Sequence, residues 1–283
     1  MEFVSDVFIK FVTYFPQDFR TEATRYVIGA VGIWFITWVL LSGVLENRRI
    51  RKPMPAILRN KQIIREVRNS LITIVVFVFC FSVTNQIMED LYGGSIFKVY
   101  SDVAKYGWAY LVFSIVLWSI VLDTYFYWTH RFMHLPRFYK FFHLTHHRSH
   151  NPTPFTAYSF APPEAILVYI FAPIFFILVP MHENAFVAAM LIQIIRNAMA
   201  HCGYELFPRG WAQHPVLGIF ATVTHHDLHH EKSSGNYAFY FTFWDRVMGT
   251  EHPEYIERFE RATENGKRRI DTAPSKAIRS TYL

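Results

Sequence analysis

Three short segments of the sequence place histidines at the spacing of metal ligands on a helix. They read HRFMH from residue 130, HLTHH from residue 143 and HDLHH from residue 226. Residues three or four positions apart lie on one face of a helix, so the imidazoles of one segment can reach one ion. The spacing identifies as candidate metal ligands His130, His134, His143, His146, His147, His226, His229 and His230.

The number of these histidines matters more than any one of them. An isolated HxxxH pair arises by chance, and a single histidine usually fills a surface or core position. Eight imidazoles exceed the ligand set of one tetrahedral zinc ion. Arg131 also stands where the HExxH motif of a zinc protease has its glutamate. The pattern therefore predicts two metal ions.

The rest of the chain has the composition of a membrane protein. Hydrophobic residues make up 52% and aromatic residues 18% of the 283 positions, which is more than an ordinary soluble domain contains. Apolar stretches at residues 26–45, 71–88 and 107–128 approach the ~20 residues of a spanning helix. Two shorter stretches, 165–181 and 184–200, predict a helical hairpin that either spans the membrane or only enters it.

The loop after the first apolar stretch indicates how the chain is oriented. Residues 46–68 contain eight Lys and Arg side chains against two Glu. The positive-inside tendency places this loop in the cytosol, and the later crossings return every histidine segment to that side. The formal charge of +6 is accordingly attributed to orientation, not to nucleic-acid binding. The prediction is an all-α integral membrane protein with about four to five membrane helices and a cytosolic histidine-rich helical cap.

The membrane setting suggests what two metal ions would do. Imidazole ligands suit iron, and the only cysteines, Cys80 and Cys202, do not form a CxxC zinc motif. Lipid chains offer unactivated C–H bonds, which hydrolytic metals do not attack. The sequence thus predicts a di-iron enzyme that uses molecular oxygen on a lipid. A metal-dependent hydrolase and a metal transporter stay open, although a transporter would need polar ligands along the middle of its spans.

The histidine segments also resemble those of a known superfamily. With DTYFYWTHR around the first and GNYAFYFTFWDRVMGT after the third, they resemble the membrane-bound fatty acid hydroxylase and sterol desaturase superfamily over about residues 107–250. The stretch NPTPFTAYSFAPPEA looks most like the sterol 5-desaturases, which usually carry histidines where this chain has Tyr158 and Ala161. The predicted substrate is therefore fatty-acyl or sterol-like.

The resemblance implies two irons, molecular oxygen and an external electron donor of the cytochrome b5 or ferredoxin type. This sequence has no HPGG haem-binding motif of its own. Members of the superfamily use a further histidine between the second and third segments, which corresponds to His201 here. The product would be a hydroxylated lipid or a new double bond. The location would be the endoplasmic reticulum in a eukaryote, or the inner or plasma membrane in a bacterium.

Three polar residues near the segments are candidates to assist the metal site. Asn197 precedes His201 by four positions and is predicted either to order a metal-bound water or to pack between helices. Asp123 precedes His130 by seven positions on the same helical face, and Asp227 lies within the third segment. Both carboxylates are predicted to orient a ligand imidazole. For Asp123, an ordinary charge at the end of a span is the alternative.

The chain divides into three predicted regions. Residues 1–106 form an N-terminal membrane region with the basic cytosolic loop, and residues 107–250 form the catalytic domain. Residues 251–283 are charged and lack apolar stretches, which predicts a surface helix and a loose tail. Asp245 and Arg246 are interpreted as an ion pair that anchors the C-terminal segment.

Overall fold

The computed structural model describes residues 2–264. Helices account for nearly all the regular structure of these residues. The elements in chain order are α1 (Glu2–Leu40), α2 (Ala56–Tyr92), β1 (Val99–Tyr100), α3 (Gly107–Met133), α4 (Pro136–Phe142), α5 (Leu144–His147), α6 (Pro162–Leu178), β2 (Met181–His182), α7 (Glu183–Ala200), α8 (Val223–Lys232), α9 (Phe243–Val247) and α10 (Tyr255–Thr263). A helical turn at Ser42–Leu45 and 3₁₀ turns at Glu46–Arg48, Val103–Lys105, Pro154–Tyr158 and Leu217–Ile219 complete them. The rest of the predicted C-terminal tail, residues 265–283, lies outside the described residues.

Three of the helices, α1, α2 and α3, are long and apolar enough to cross a membrane. This confirms the prediction of an all-α membrane protein. α1 begins at Glu2, well before the predicted start at residue 26. Charged residues such as Lys10 and Asp18 lower the hydropathy of its first half, and the helix continues through Pro16 in spite of the unfavourable helix propensity of proline.

The hairpin of α6 and α7 extends to the end of the molecule opposite the histidines. Its tip, β2, pairs in parallel with β1, which lies in the loop between α2 and α3. The backbone N–H of Met181 donates to the carbonyl of Lys98 at 2.9 Å, and His182 donates through Nε2 to the carbonyl of Ser101 at 2.8 Å. The hairpin therefore runs alongside the full length of α3 instead of stopping partway.

Aromatic packing joins these helices to the segment that follows the third histidine motif. Trp118 of α3 contacts Phe171 and Phe175 of α6 at ring distances of 4.8 and 4.9 Å. Phe239 and Tyr240 belong to the same buried cluster. The cluster packs the middle of α3 against α6, and the C-terminal end of α3 carries His130.

α1 passes α7 so closely at Gly29 that a side chain has no room. A Cβ atom at this position would lie 2.5 Å from Cγ1 of Ile194, which is fully buried. We expect Gly29→Val to destabilise the protein by about 1–3 kcal/mol, because the packed helices must separate, and to lower its unfolding temperature in detergent. Gly32→Val is the matched control, since a Cβ there meets nothing within 4 Å. Equal losses in both variants would contradict a contact between the helices as the cause.

Candidate metal centre

The structure brings nine histidines together in two adjacent, buried clusters. The first contains His130, His134, His143, His147 and His229, and the second contains His146, His201, His226 and His230. Within each cluster one ligand nitrogen per ring lies within 4.8 Å of all the others. These are the nine residues that the sequence predicted as metal ligands. Their geometry suits two ions, and their role as ligands stays a prediction.

Two of the three histidine segments contribute to both clusters. In the second segment, His143 and His147 belong to the first cluster and His146 belongs to the second. In the third segment, His229 belongs to the first cluster, whereas His226 and His230 belong to the second. The expectation that each segment serves one ion is therefore wrong for the second and third segments. Neighbouring helical residues diverge by about 100° around the axis. The i, i+4 pair thus faces one cluster, and the remaining histidine faces the other.

The hydrogen bonds of the rings determine which nitrogens are free to bind metal. Nδ1 of His130 lies 2.7 Å from the carbonyl oxygen of Tyr237, and Nδ1 of His143 lies 2.7 Å from Oε1 of Glu164. A carbonyl oxygen can only accept, and Glu164 accepts when it is ionised, so in that state each Nδ1 carries the proton and each Nε2 presents a lone pair. These two Nε2 atoms are only 2.9 Å apart. Two facing lone pairs repel each other, and a cation bound by both relieves that repulsion.

One further ring in each cluster also donates its Nδ1 proton to a backbone carbonyl. Nδ1 of His201 donates to the carbonyl of Asn197, and Nδ1 of His229 donates to the carbonyl of Gly235, both at 2.7 Å. Nε2 of His201 lies 2.9 Å from Nε2 of His226 and 3.1 Å from Nε2 of His230. The donor set therefore fits two imidazole-bound metal ions.

Burial keeps the imidazoles neutral. Eight of the nine rings are buried, and His134 is partly exposed. Removal from water disfavours the charged ring and lowers the pKa of His201 and of His229 to about 4. Near neutral pH both rings are uncharged, which is the form that binds a metal.

Capping groups hold both ends of α8, the helix that carries the third histidine motif. The side chain of Thr222 accepts a hydrogen bond from the backbone N–H of His225, and Glu205 accepts from the N–H and the hydroxyl of Thr224 at 2.7 and 2.6 Å. At the other end Ser233 adopts a left-handed φ of 55°. α8 is thus anchored at both ends, which fixes the directions of its histidines.

All nine histidines lie in a part of the chain that matches the sequence model of a protein family. The sequence model of the family described as fatty acid hydroxylase matches residues 115–250. These matched residues are called the fatty acid hydroxylase segment. The fatty acid hydroxylase segment begins within α3 and ends after α9.

Curated relatives extend beyond this fatty acid hydroxylase segment. The chain is 28% identical to the Delta(7)-sterol 5(6)-desaturase of Gibberella zeae, over 86% of this chain and 73% of that protein. It is 30% identical to lathosterol oxidase of Rattus norvegicus over 56% of this chain, and 34% identical to a cholesterol 25-hydroxylase-like protein of Danio rerio over 46%. The chain spans 53% and 51% of the length of these last two relatives.

The relatives confirm the resemblance to the fatty acid hydroxylase and sterol desaturase superfamily. All three of their names denote oxidoreductases, in agreement with the predicted enzyme class. No solved structure matches the chain.

The two positions at which this chain departs from the sterol 5-desaturase pattern lie outside both clusters. Tyr158 is buried in the packing between α1 and α2, where its ring lies 5.6 Å from those of Tyr26 and Phe77. Ala161 is buried just before α6. The absence of histidine at these positions therefore leaves both clusters complete.

A carboxylate that the sequence did not single out contacts the first cluster. Glu164, in the first turn of α6, is fully buried and accepts the Nδ1 proton of His143 at 2.7 Å. A carboxylate in this position fixes the tautomer of the imidazole and raises its basicity toward a metal. Little in the sequence indicated that Glu164 contacts a histidine, because an acidic residue after Pro162 and Pro163 is typical of an ordinary helix start.

We expect Glu164→Ala to weaken metal retention by the first cluster about 10–100-fold, the usual effect of removing such a carboxylate. The measurement is metal loss against a graded series of chelator concentrations. Glu183→Ala is the matched control, because Glu183 occupies the first turn of α7 and is exposed. Equal retention by the two variants would contradict an orienting role for Glu164.

Asp123 lies near the site but touches a different partner from the predicted one. Its Oδ1 accepts hydrogen bonds from the backbone N–H groups of Phe239, Tyr240 and Phe241 at 3.1, 2.6 and 3.2 Å. It makes no hydrogen bond to an imidazole among the described residues. Since the carbonyl of Tyr237 binds His130, Asp123 acts on that ring only through the segment that it holds.

Asn197 and Asp227 also bind other groups. The amide of Asn197 donates to the carbonyl of Ala157 at 2.7 Å, which agrees with the helix-packing alternative. Asp227 forms an ion pair with Arg51 of the basic loop, with Nε and Oδ2 2.8 Å apart. The loop that was predicted to orient the chain therefore also docks on α8. In the described residues neither side chain forms a hydrogen bond to an imidazole.

The interpretation of Asp245 and Arg246 as an ion pair is wrong. The two oxygens of Asp245 accept the backbone N–H groups of Tyr237 and Ala238, both at 2.9 Å. Arg246 instead pairs with Glu251 at 3.0 Å. Two buried carboxylates, Asp245 and Asp123, thus hold five consecutive N–H groups of the segment that positions His130.

Proposed function

We propose that the protein is a di-iron, oxygen-dependent hydroxylase or desaturase that acts on a C–H bond of a sterol-like or fatty-acyl lipid. The observation that carries this proposal is the pair of buried clusters of neutral imidazoles, with lone pairs facing each other, inside a fatty acid hydroxylase segment. The names of the three relatives support a lipid substrate, because each of them refers to a sterol.

Each cluster would hold one iron ion. The irons, when bound, supply the reduction of oxygen and the oxidation of the substrate C–H bond. The chain itself presents nine nitrogen ligands, holds four of their rings through Nδ1 hydrogen bonds and buries eight of the nine rings. The position of the substrate carbon decides the product, because a small displacement of this carbon changes the reaction from hydroxylation to desaturation.

Electrons would come from a separate carrier of the cytochrome b5 or ferredoxin type. The histidines lie at the same end of the helices as the basic loop, since Arg51 pairs with Asp227 beside His226. This end is assigned to the cytosol by the positive-inside tendency. Lys52, Lys61 and Arg68 stay exposed on the loop side and suit an acidic donor. The membrane would be the endoplasmic reticulum in a eukaryote, or the inner or plasma membrane in a bacterium.

The function is tested by turnover with reconstituted protein. Protein purified without oxygen is loaded with ferrous iron, incorporated into vesicles with a sterol or a fatty-acyl lipid, and given a reductant and ¹⁸O₂. Mass spectrometry then distinguishes the gain of a labelled oxygen from the loss of two hydrogens. A matched sample without oxygen should form neither product. Oxygen-independent cleavage would support the hydrolase, and metal flux across the vesicles without lipid conversion would support the transporter.

A further inference from the structure

The aromatic segment after the third histidine motif descends along α3, away from the metal centre. Tyr237 lies level with His130, whose ring binds its carbonyl. The next residues bind Asp123, and the indole N–H of Trp244 donates to Oγ1 of Thr124 at 3.1 Å. Seven helical residues separate Asp123 from His130, which is about 10 Å along the axis. The segment thus reaches into the apolar length of a membrane-spanning helix and returns.

The backbone of this segment is suited to surroundings without water. Its N–H groups from Tyr237 to Phe241 bind the carboxylates of Asp245 and Asp123. The N–H of Thr242 donates to the carbonyl of Ile219 at 2.7 Å. Irregular backbone is tolerated at membrane depth only where its polar groups are satisfied internally.

The outward side chains of the segment and of its neighbouring turn are apolar except for Arg246, whose side chain is 40% exposed and pairs with Glu251 beyond α9. Phe243 and Val247 lie on one face of α9 with exposed fractions of 50% and 59%, and Val216 is 67% exposed. This surface continues the exposed surface of α3, because the rings of Trp244 and Trp128 lie 5.6 Å apart. The acid of α9, Asp245, points inward. Continuity with a membrane-spanning helix identifies lipid as the occupant of this surface.

We propose that residues 216–220 and 239–247 form a re-entrant collar, seated among the acyl chains of the leaflet next to the histidines. The collar goes beyond the proposed function, because it requires neither iron nor a particular substrate. It places the metal centre at the edge of the bilayer, where a lipid can reach it without leaving the membrane.

The depth of the collar is measured on the full chain in nanodiscs. Cys80→Ser removes the less buried native thiol, while Cys202 is buried. A nitroxide is then attached through Val247→Cys, and its power saturation is compared in oxygen and in a water-soluble nickel reagent. Ile120→Cys on α3 is the lipid reference. Arg209→Cys is the aqueous reference, since the Arg209 side chain is 63% exposed and lies in the same cap.

We expect the oxygen-to-nickel accessibility ratio at position 247 to match that at position 120 and to exceed that at position 209. A ratio equal to that at position 209 would overturn the collar. Low accessibility to both reagents with an immobilised spectrum would also overturn it, because it would mean that a protein, such as a second copy, covers the surface. Phe243→Cys, which labels the same face of α9, repeats the measurement should the first variant fail to fold.

Discussion

Alanine at either His146 or His147 is expected to abolish turnover, with each substitution emptying a different metal position. The two residues are adjacent in sequence, but His146 belongs to the second cluster and His147 to the first. Each variant should retain half of the wild-type metal content after iron loading, because the other ligand set is intact. Metal content by mass spectrometry and lipid turnover are the two measurements.

Double variants make this expectation sharper. His146→Ala with His147→Ala removes a ligand from each cluster and should leave no tightly bound metal. His146→Ala with His230→Ala removes two ligands from one cluster and should retain as much metal as His146→Ala alone. His150→Ala is the control, since this histidine belongs to neither cluster and its carbonyl, which binds Arg51, is kept. Equal metal loss in the two double variants would rule out the division into two clusters.

Asp123→Ala is expected to cause the largest loss of stability. It would leave the N–H groups of Phe239, Tyr240 and Phe241 without an acceptor. A buried donor without a partner costs about 1–3 kcal/mol, so the loss of three acceptor contacts should lower the free energy of unfolding by roughly 3–9 kcal/mol. Thermal unfolding in detergent measures this loss.

Two further variants test whether Asp123 stabilises the protein through its hydrogen bonds to the backbone. Asp123→Asn keeps an acceptor oxygen in the same place and should recover most of the stability. Asp102→Ala removes an aspartate that accepts one exposed N–H, from Ala104, and should change little. If Asp123→Asn were as unstable as Asp123→Ala, the negative charge itself would be required, and an acceptor oxygen alone would not hold the segment.

Eight of the nine clustered histidines were predictable from local spacing, whereas His201 was predicted only from the resemblance to the superfamily. A separation of three or four positions brings side chains to one side of a helix whatever surrounds it. Which of these pairs share a cluster was not predictable, because it depends on how the helices of different segments pack against one another. His143 lies at the junction of α4 and α5 with φ −121°, so the second histidine segment is not one continuous helix. The sequence contains no cap residue that marks this junction.

The partners of the carboxylates depend on contacts between distant parts of the chain. Glu164 is 21 residues from His143, and Asp123 is 116 to 118 residues from the N–H groups that it binds. Asp245 and Arg246 could form an ion pair by sequence alone, but the N–H groups of Tyr237 and Ala238 compete for the same carboxylate. Burial decides this competition, and burial follows from the tertiary fold.

The pairing of β1 with β2 constrains the order in which the protein is made. Val99 and Tyr100 are synthesised first, and Met181 and His182 can pair with them only once the hairpin has reached the same end of the molecule. The second histidine motif precedes the hairpin in sequence, and His201 and the third motif follow it. They can meet only after α6 and α7 have both been inserted. Metal binding would therefore follow completion of the hairpin, because each cluster contains a histidine that comes after it in sequence.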